Sequence, residues 1–154
     1  MTINHNQYLE LAFHLAEKNL GKTKLNPSVG TVVVKNGTVI SSGVTSFKGR
    51  PHSEFNALDS VKNCSGASLY TTLEPCLMCF GAIINSRIKR LVIGAIDEEH
   101  GAPISNKELL DKLKLNHKID IEIGLFSEKC SSLLKNFFKE KRSKTKFCPN
   151  RGVI

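Results

Sequence analysis

No stretch of the 154 residues approaches the ~20 consecutive apolar positions that cross a bilayer, and Met1 to Gln7 lack the basic start and apolar run of a secretory leader. A cytoplasmic protein with no membrane partner is therefore expected. Cysteine is scarce and odd in number: Cys64, Cys76, Cys79, Cys130 and Cys148, without an export signal, argue against a disulfide framework and leave metal binding or packing. No internal repeat or linker interrupts the chain, and low complexity is absent before the last dozen positions. With 40% hydrophobic and 23% charged residues the composition is that of a globular protein. The length fits one domain over 1–154 with one substantial core, and Ser143 to Ile154, mixing charge with Pro149 and Gly152, reads as a loose tail. Acidic residues are outnumbered, 14 against 22 Lys and Arg, for a net charge of +8. Two readings fit that excess: attraction to a polyanion such as RNA, or a Lys-, Asn- and Ile-rich coding bias.

Periodicity supplies the elements. Leu9, Leu11, Ala12, Leu15, Ala16 and Leu20 recur at helical spacing over 7–20 before Gly21. Two β-branched runs, Val29 to Val34 and Val39 to Val44, flank Asn36-Gly37, the dipeptide of a tight antiparallel hairpin. A helix is expected over 53–62, a strand over 67–72, a helix over 76–86 and a strand over 90–95. A short helix over 106–113, a strand over 119–123 and a helix from 127 to about 144 complete the order αββαβαβαβα. Leu69 with Tyr70, and Leu91 to Ile93, read as strands buried on both faces. The expected fold class is α/β, a three-layer α/β/α sandwich on a five-stranded mixed sheet.

Two short motifs carry chemistry: His52-Ser53-Glu54 and, 24 positions after the histidine, Pro75-Cys76-Leu77-Met78-Cys79. Cys76 and Cys79, at i and i+3 on the opening turn of a helix, share one side and hold an ion at about 2.3 Å. Free amides and the dipole at that helix start lower thiol pKa values. His52 adds a neutral imidazole, so the expected cofactor is Zn2+ with three protein ligands. A structural zinc takes four; an open fourth position marks a catalytic one and brings the pKa of water from ~15.7 towards ~7. Glu54, near a helix start two residues from His52, is the candidate proton carrier: it takes the proton of water, protonates a ring nitrogen and then the departing ammonia. Cys64, Cys130 and Cys148 read as packing.

His-x-Glu with Pro-Cys-x-x-Cys is the signature of the zinc-dependent nucleobase deaminases, and the chain resembles that cytidine deaminase-like superfamily. From Leu73 to about Arg142 it resembles the bacterial tRNA adenosine deaminases, through Leu73-Glu74-Pro75, Gly81-Ala82-Ile83, Ser86-Arg87-Ile88, Asp97, Gly101-Ala102 and the helix from Glu128 to Phe138. Asn26-Pro27-Ser28-Val29-Gly30 and the segment from Thr45 to His52 resemble instead the pyrimidine deaminase of riboflavin synthesis. The first resemblance implies wobble adenosine in a tRNA anticodon stem-loop as substrate; the second implies a small aminopyrimidine or purine. Both imply a homodimer joined through helices flanking the sheet. Asn26 stands in a loop that borders the base pocket in these families, as a substrate contact or as a turn former before Pro27. Thr45 lies where the tRNA enzymes usually carry a base-contacting asparagine. Arg50 fits a phosphate contact or a solvated loop cation. Lys139, Lys141 and Arg142 lie on the helix that grips the anticodon stem in the tRNA enzymes, and also suit a solvated helix end. A catalytically silent RNA-binding relative is the rival of another class.

Overall fold

The computed structural model describes residues 4–124 and 126–145. In chain order the elements are α1 (His5–Lys18), β1 (Gly30–Lys35), β2 (Thr38–Val44), α2 (Ser53–Asp59), β3 (Ser68–Leu73), α3 (Leu77–Asn85), β4 (Arg90–Ala95), α4 (Lys107–Asp111), β5 (Asp120–Ile123) and α5 (Ser127–Thr145), with a short 3-10 turn at Phe47–Gly49. The order matches the αββαβαβαβα expectation. The tail expected from about 143 continues α5 as far as Thr145 and otherwise lies outside the described residues. No described helix is long and apolar enough to cross a membrane.

The strands form one mixed sheet in the order β2-β1-β3-β4-β5. β1 pairs antiparallel with β2 and β3, while β3, β4 and β5 run parallel. Asn36 and Gly37 both take positive φ, 51° and 74°, the conformation the tight hairpin between β1 and β2 requires. Alternation along the central strands then feeds two cores. Val33, Leu69, Leu91 and Ile93 meet Ala57 and Leu58 of α2 and Phe80, Ile83 and Ile84 of α3 on one face. Val32, Val34, Tyr70 and Val92 meet Leu9 and Ala12 of α1 on the other, where Cys130 of α5 packs with Val29, Leu73 and Ala95. Helices on both faces make the three layers expected from the continuous apolar runs.

Two contacts fix α1. His5 Nε2 accepts from Arg90 Nη1 at 2.8 Å, which leaves the proton on Nδ1 to donate to the Tyr70 hydroxyl at 2.7 Å. Burial of that phenol pushes its pKa up to about 12. At the start of β1, Gly30 lets the helix backbone come close: a Cβ there would overlap the Ala12 carbonyl. Gly30→Ala should therefore destabilise the fold by about 1–3 kcal/mol, since backbone must move to admit one methyl group. A denaturant midpoint equal to that of the wild type would show that α1 yields without cost.

Candidate active site

Both chemical motifs fall at helix starts on one end of the sheet. His52 is the N-cap of α2 and Cys76 the N-cap of α3, with Cys79 in the first turn of α3. Leaving the strand and entering the helix at Cys76 turns the chain so that both sulfurs face the His52 ring. Cys76 Sγ lies 3.7 Å and Cys79 Sγ 3.4 Å from His52 Nδ1, and the three donor atoms lie within 4.8 Å of one another. A zinc at about 2.3 Å from sulfur and about 2.05 Å from nitrogen, with tetrahedral angles, separates those donors by about 3.6 Å. Both nitrogen–sulfur separations therefore match the ion, and Nδ1 is the His52 nitrogen that faces the two sulfurs. Among the described residues this is the one His/Cys/Asp/Glu group that close.

The protonation of the ligands is linked. Cys76 is held well below the ordinary thiol range, first by the Cys79 thiol and next by the His52 ring, with the Cys79 amide of the helix start adding to both. Cys79 is pushed up by its contact with Cys76 and by burial. The hydrogen bond to Cys76 also raises the His52 imidazole above its usual value of 6.5. Zinc requires a proton-free imidazole. Because the folded pKa is raised, the proton competes at higher pH than for an ordinary histidine. Cys79, also pushed up, must give up its proton too, so zinc affinity should keep rising above the His52 value and fall as pH drops through it, by about tenfold per pH unit for each proton displaced. Competition against a chromophoric chelator from about pH 8 to about pH 5.5 measures this; a flat profile would contradict it.

Glu54 follows in the first turn of α2 with 4% of its surface exposed. Burial, the largest influence, raises its pKa, which suits a group that must hold a proton and release it. Ser53 Oγ donates to Glu54 Oε2 at 3.1 Å. Above the trio opens a cleft of about 430 Å³ lined by His52, Glu54 and Cys76 together with Asn26, Thr45, Arg50, Glu74, Asp97, His100 and the apolar Leu25, Met78 and Phe138. That size suits a nucleobase with room for attached groups.

The structure sorts the sequence candidates. Asn26 lines the cleft, and its Nδ2 donates to the Gly49 carbonyl at 2.8 Å, which leaves Oδ1 as the acceptor side of the amide. Thr45 also lines it, but its hydroxyl donates to the Pro27 carbonyl at 3.1 Å and accepts from the Val29 amide at 2.9 Å. With its one proton committed and 2% of its surface exposed, Thr45 braces the wall of the cleft and offers no donor to a ligand. Arg50 stands exposed at the rim. Lys139, Lys141 and Arg142 do not line the cleft; Phe138, just before them on α5, does, and the Lys141 ammonium sits 5.3 Å from the Phe137 ring. Cys64 and Cys130 are buried free thiols, as packing requires, and Cys148 lies outside the described residues.

Glu74 is the functional residue that motif reading missed. Its carboxylate, 2% exposed, accepts from the amides of Asp97 (3.0 Å), Ile104 (2.8 Å) and Ser105 (2.7 Å) and from the Ser105 hydroxyl (2.6 Å). The loop gathered in this way pairs at Gly101 with the backbone of Cys76 and supplies Asp97 and His100 to the cleft. Its signal in the sequence was position alone, a carboxylate directly before Pro75 and the metal cysteines.

Residues 2–95 match the profile of the cytidine and deoxycytidylate deaminase zinc-binding region. The riboflavin biosynthesis protein RibD of Aquifex aeolicus is 38% identical over 138 residues, 85% of this chain, which spans only 38% of that protein. The tRNA-specific adenosine deaminase of Bacillus subtilis is 33% identical over 149 residues, covering 90% of this chain and 91% of that enzyme. A solved structure from studies of tRNA:A34 deaminases superposes with a TM-score of 0.71 at 30% identity, over 83% of this chain and 99% of that one. Profile, full-length relative and fold agree with the donor geometry, and the chain belongs to the zinc-binding cytidine and deoxycytidylate deaminase family.

Proposed function

We propose that the protein is a zinc-dependent hydrolytic deaminase that converts adenosine in tRNA to inosine. The observation that carries the reaction class is the buried Glu54 carboxyl group beside a His52, Cys76 and Cys79 donor set, at the floor of an open cleft. Zinc held by those three side chains supplies Lewis acidity that makes water nucleophilic near neutral pH. Glu54 takes the proton that water sheds as its oxygen bonds to the ring carbon, and passes it to the adjacent ring nitrogen. Glu54 then takes the second proton from the hydroxyl group on that carbon and delivers it to the amine; the C–N bond breaks, the amine leaves as ammonia, and the oxygen's electron pair closes the carbonyl. Oδ1 of Asn26 is the acceptor for a ring N–H or amine, and burial of Glu54 shields the proton it carries from bulk water.

RNA as substrate is supported by the match along nearly the whole B. subtilis tRNA enzyme. It is supported also by Phe138, Leu25 and Met78, which are exposed apolar surfaces at the cleft on which unpaired bases stack, with Lys139, Lys141 and Arg142 of α5 nearby in sequence. A second reading, a small aminopyrimidine of the riboflavin type, is favoured by the RibD match and by the Asn26 to Gly30 segment. Ammonia release from an anticodon stem-loop RNA, compared with release from small aminopyrimidines and purines, decides between them. Turnover of the RNA is expected; a dead RNA assay beside a live small-molecule assay would reverse the ranking. We infer further a cytoplasmic, single-domain homodimer, in which α2 and α3 bury the exposed Phe55 and Leu77. Light scattering that gives a monomer's mass would overturn the dimer.

A further inference from the structure

Beneath Glu54 lies a row of hydroxyl groups that the deamination scheme does not use. Ser53 Oγ is 3.1 Å from Glu54 Oε2, Thr31 Oγ1 of β1 is 2.8 Å from Ser53 Oγ, Thr71 Oγ1 of β3 is 3.3 Å from Thr31 Oγ1, and the Leu73 carbonyl is 3.3 Å from Thr71 Oγ1. Ser53, Thr31 and Thr71 have no exposed surface and none lines the cleft. Three elements are required to assemble the row, since Ser53 opens α2, Thr31 and Thr71 face each other across the β1–β3 pairing, and the Leu73 carbonyl ends β3. Burying three hydroxyl groups in this way costs free energy unless each finds a partner, and here each does.

A hydroxyl group has one proton and two lone pairs. Ser53 spends its proton on the Glu54 carboxylate, so the 2.8 Å contact between Ser53 and Thr31 takes its proton from Thr31, while Thr71, whose proton goes to the Leu73 carbonyl, stands behind Thr31 at 3.3 Å. We propose that Ser53, backed by Thr31 and Thr71, is a positioning residue that fixes the place of the Glu54 side chain at the floor of the cleft. The inference rests on the deaminase reading, in which Glu54 must meet water, ring and amine from one place.

The test is steady-state kinetics on whichever substrate the wild-type, zinc-loaded protein deaminates. Ser53→Ala should lower kcat about tenfold, the scale of one hydrogen bond to a charged group, with KM within about twofold because the row never meets the ligand. Thr31→Val, which keeps shape and removes the hydroxyl group, should lower kcat in the same sense, while Thr31→Ser should restore it. The double variant Ser53→Ala with Thr31→Val should be no slower than Ser53→Ala alone, since both cut one row. Zinc content and melting midpoint, read on the same samples, identify any variant that fails to fold; Thr31→Ser, the mildest change, then carries the comparison with Thr31→Val. Unchanged kcat in Ser53→Ala, a change confined to KM, or multiplying effects in the double variant would each overturn the proposal. Absence of turnover by the wild type on every amine offered would remove the deaminase reading itself, a separate outcome.

Discussion

Glu54→Gln should reduce turnover by about 10²–10⁴-fold while each chain keeps one zinc, because general acid–base catalysis contributes on that scale. Glutamine has the same shape and fills the same buried position, and its amide oxygen still accepts from Ser53, so packing under α2 changes little. What it cannot do is carry a proton between water, ring nitrogen and leaving amine. Glu54 is not one of the three donors within 4.8 Å of one another, so metal retention should be independent of it. Stopped turnover with full zinc content is therefore the signature of a proton carrier. A variant that keeps wild-type kcat would take Glu54 out of the chemistry, and one that loses its zinc would make it a metal ligand instead.

Cys79→Ala should abolish both zinc binding and turnover, and should lower the melting midpoint by about 10 °C. Cys79 is buried to 99% and its sulfur is the nearer of the two to His52 Nδ1. A ligand present at 1,000 times its dissociation constant stabilises the folded state by about 4 kcal/mol, which for a chain of this size corresponds to that shift. The wild-type protein stripped by a chelator should melt near the variant, and the chelator should leave the variant unmoved. Equal midpoints for loaded and stripped wild type would mean that the fold does not depend on the ion. The loss would act on both motifs at once, since zinc held by His52, Cys76 and Cys79 would tie the start of α2 to the start of α3.

Much of this architecture is visible before any coordinates, for local reasons. Asn36-Gly37 specifies its turn through backbone conformation alone, and the β-branched runs on either side have no better use than strands. The metal set is legible because Cys76 and Cys79 are one helical turn apart and Glu54 stands two residues from His52. Helix ends were less so: α2 stops at Asp59 rather than near 62, and Cys76 caps α3 instead of entering its first turn. The bracing of the cleft wall by Thr45 has no local signal, because its partners, Val29 and Pro27, lie 16 and 18 positions away across the β1–β2 arm. Glu74 was passed over for a related reason, since its partners are backbone amides 23 to 31 positions downstream, and backbone amides leave no pattern in a sequence. The Ser53, Thr31 and Thr71 row depends on strand register, which periodicity does not report.

The central claim is that one imidazole and two thiolates of this chain bind a single zinc and leave part of its coordination to water. X-ray absorption at the zinc edge, with metal content measured on the same sample, tests it directly. One zinc per chain is expected, with two sulfur neighbours at about 2.3 Å and two nitrogen or oxygen neighbours at about 2.0 Å. A shell of four protein ligands rich in sulfur, or a chain that purifies and stays without zinc, would contradict the account.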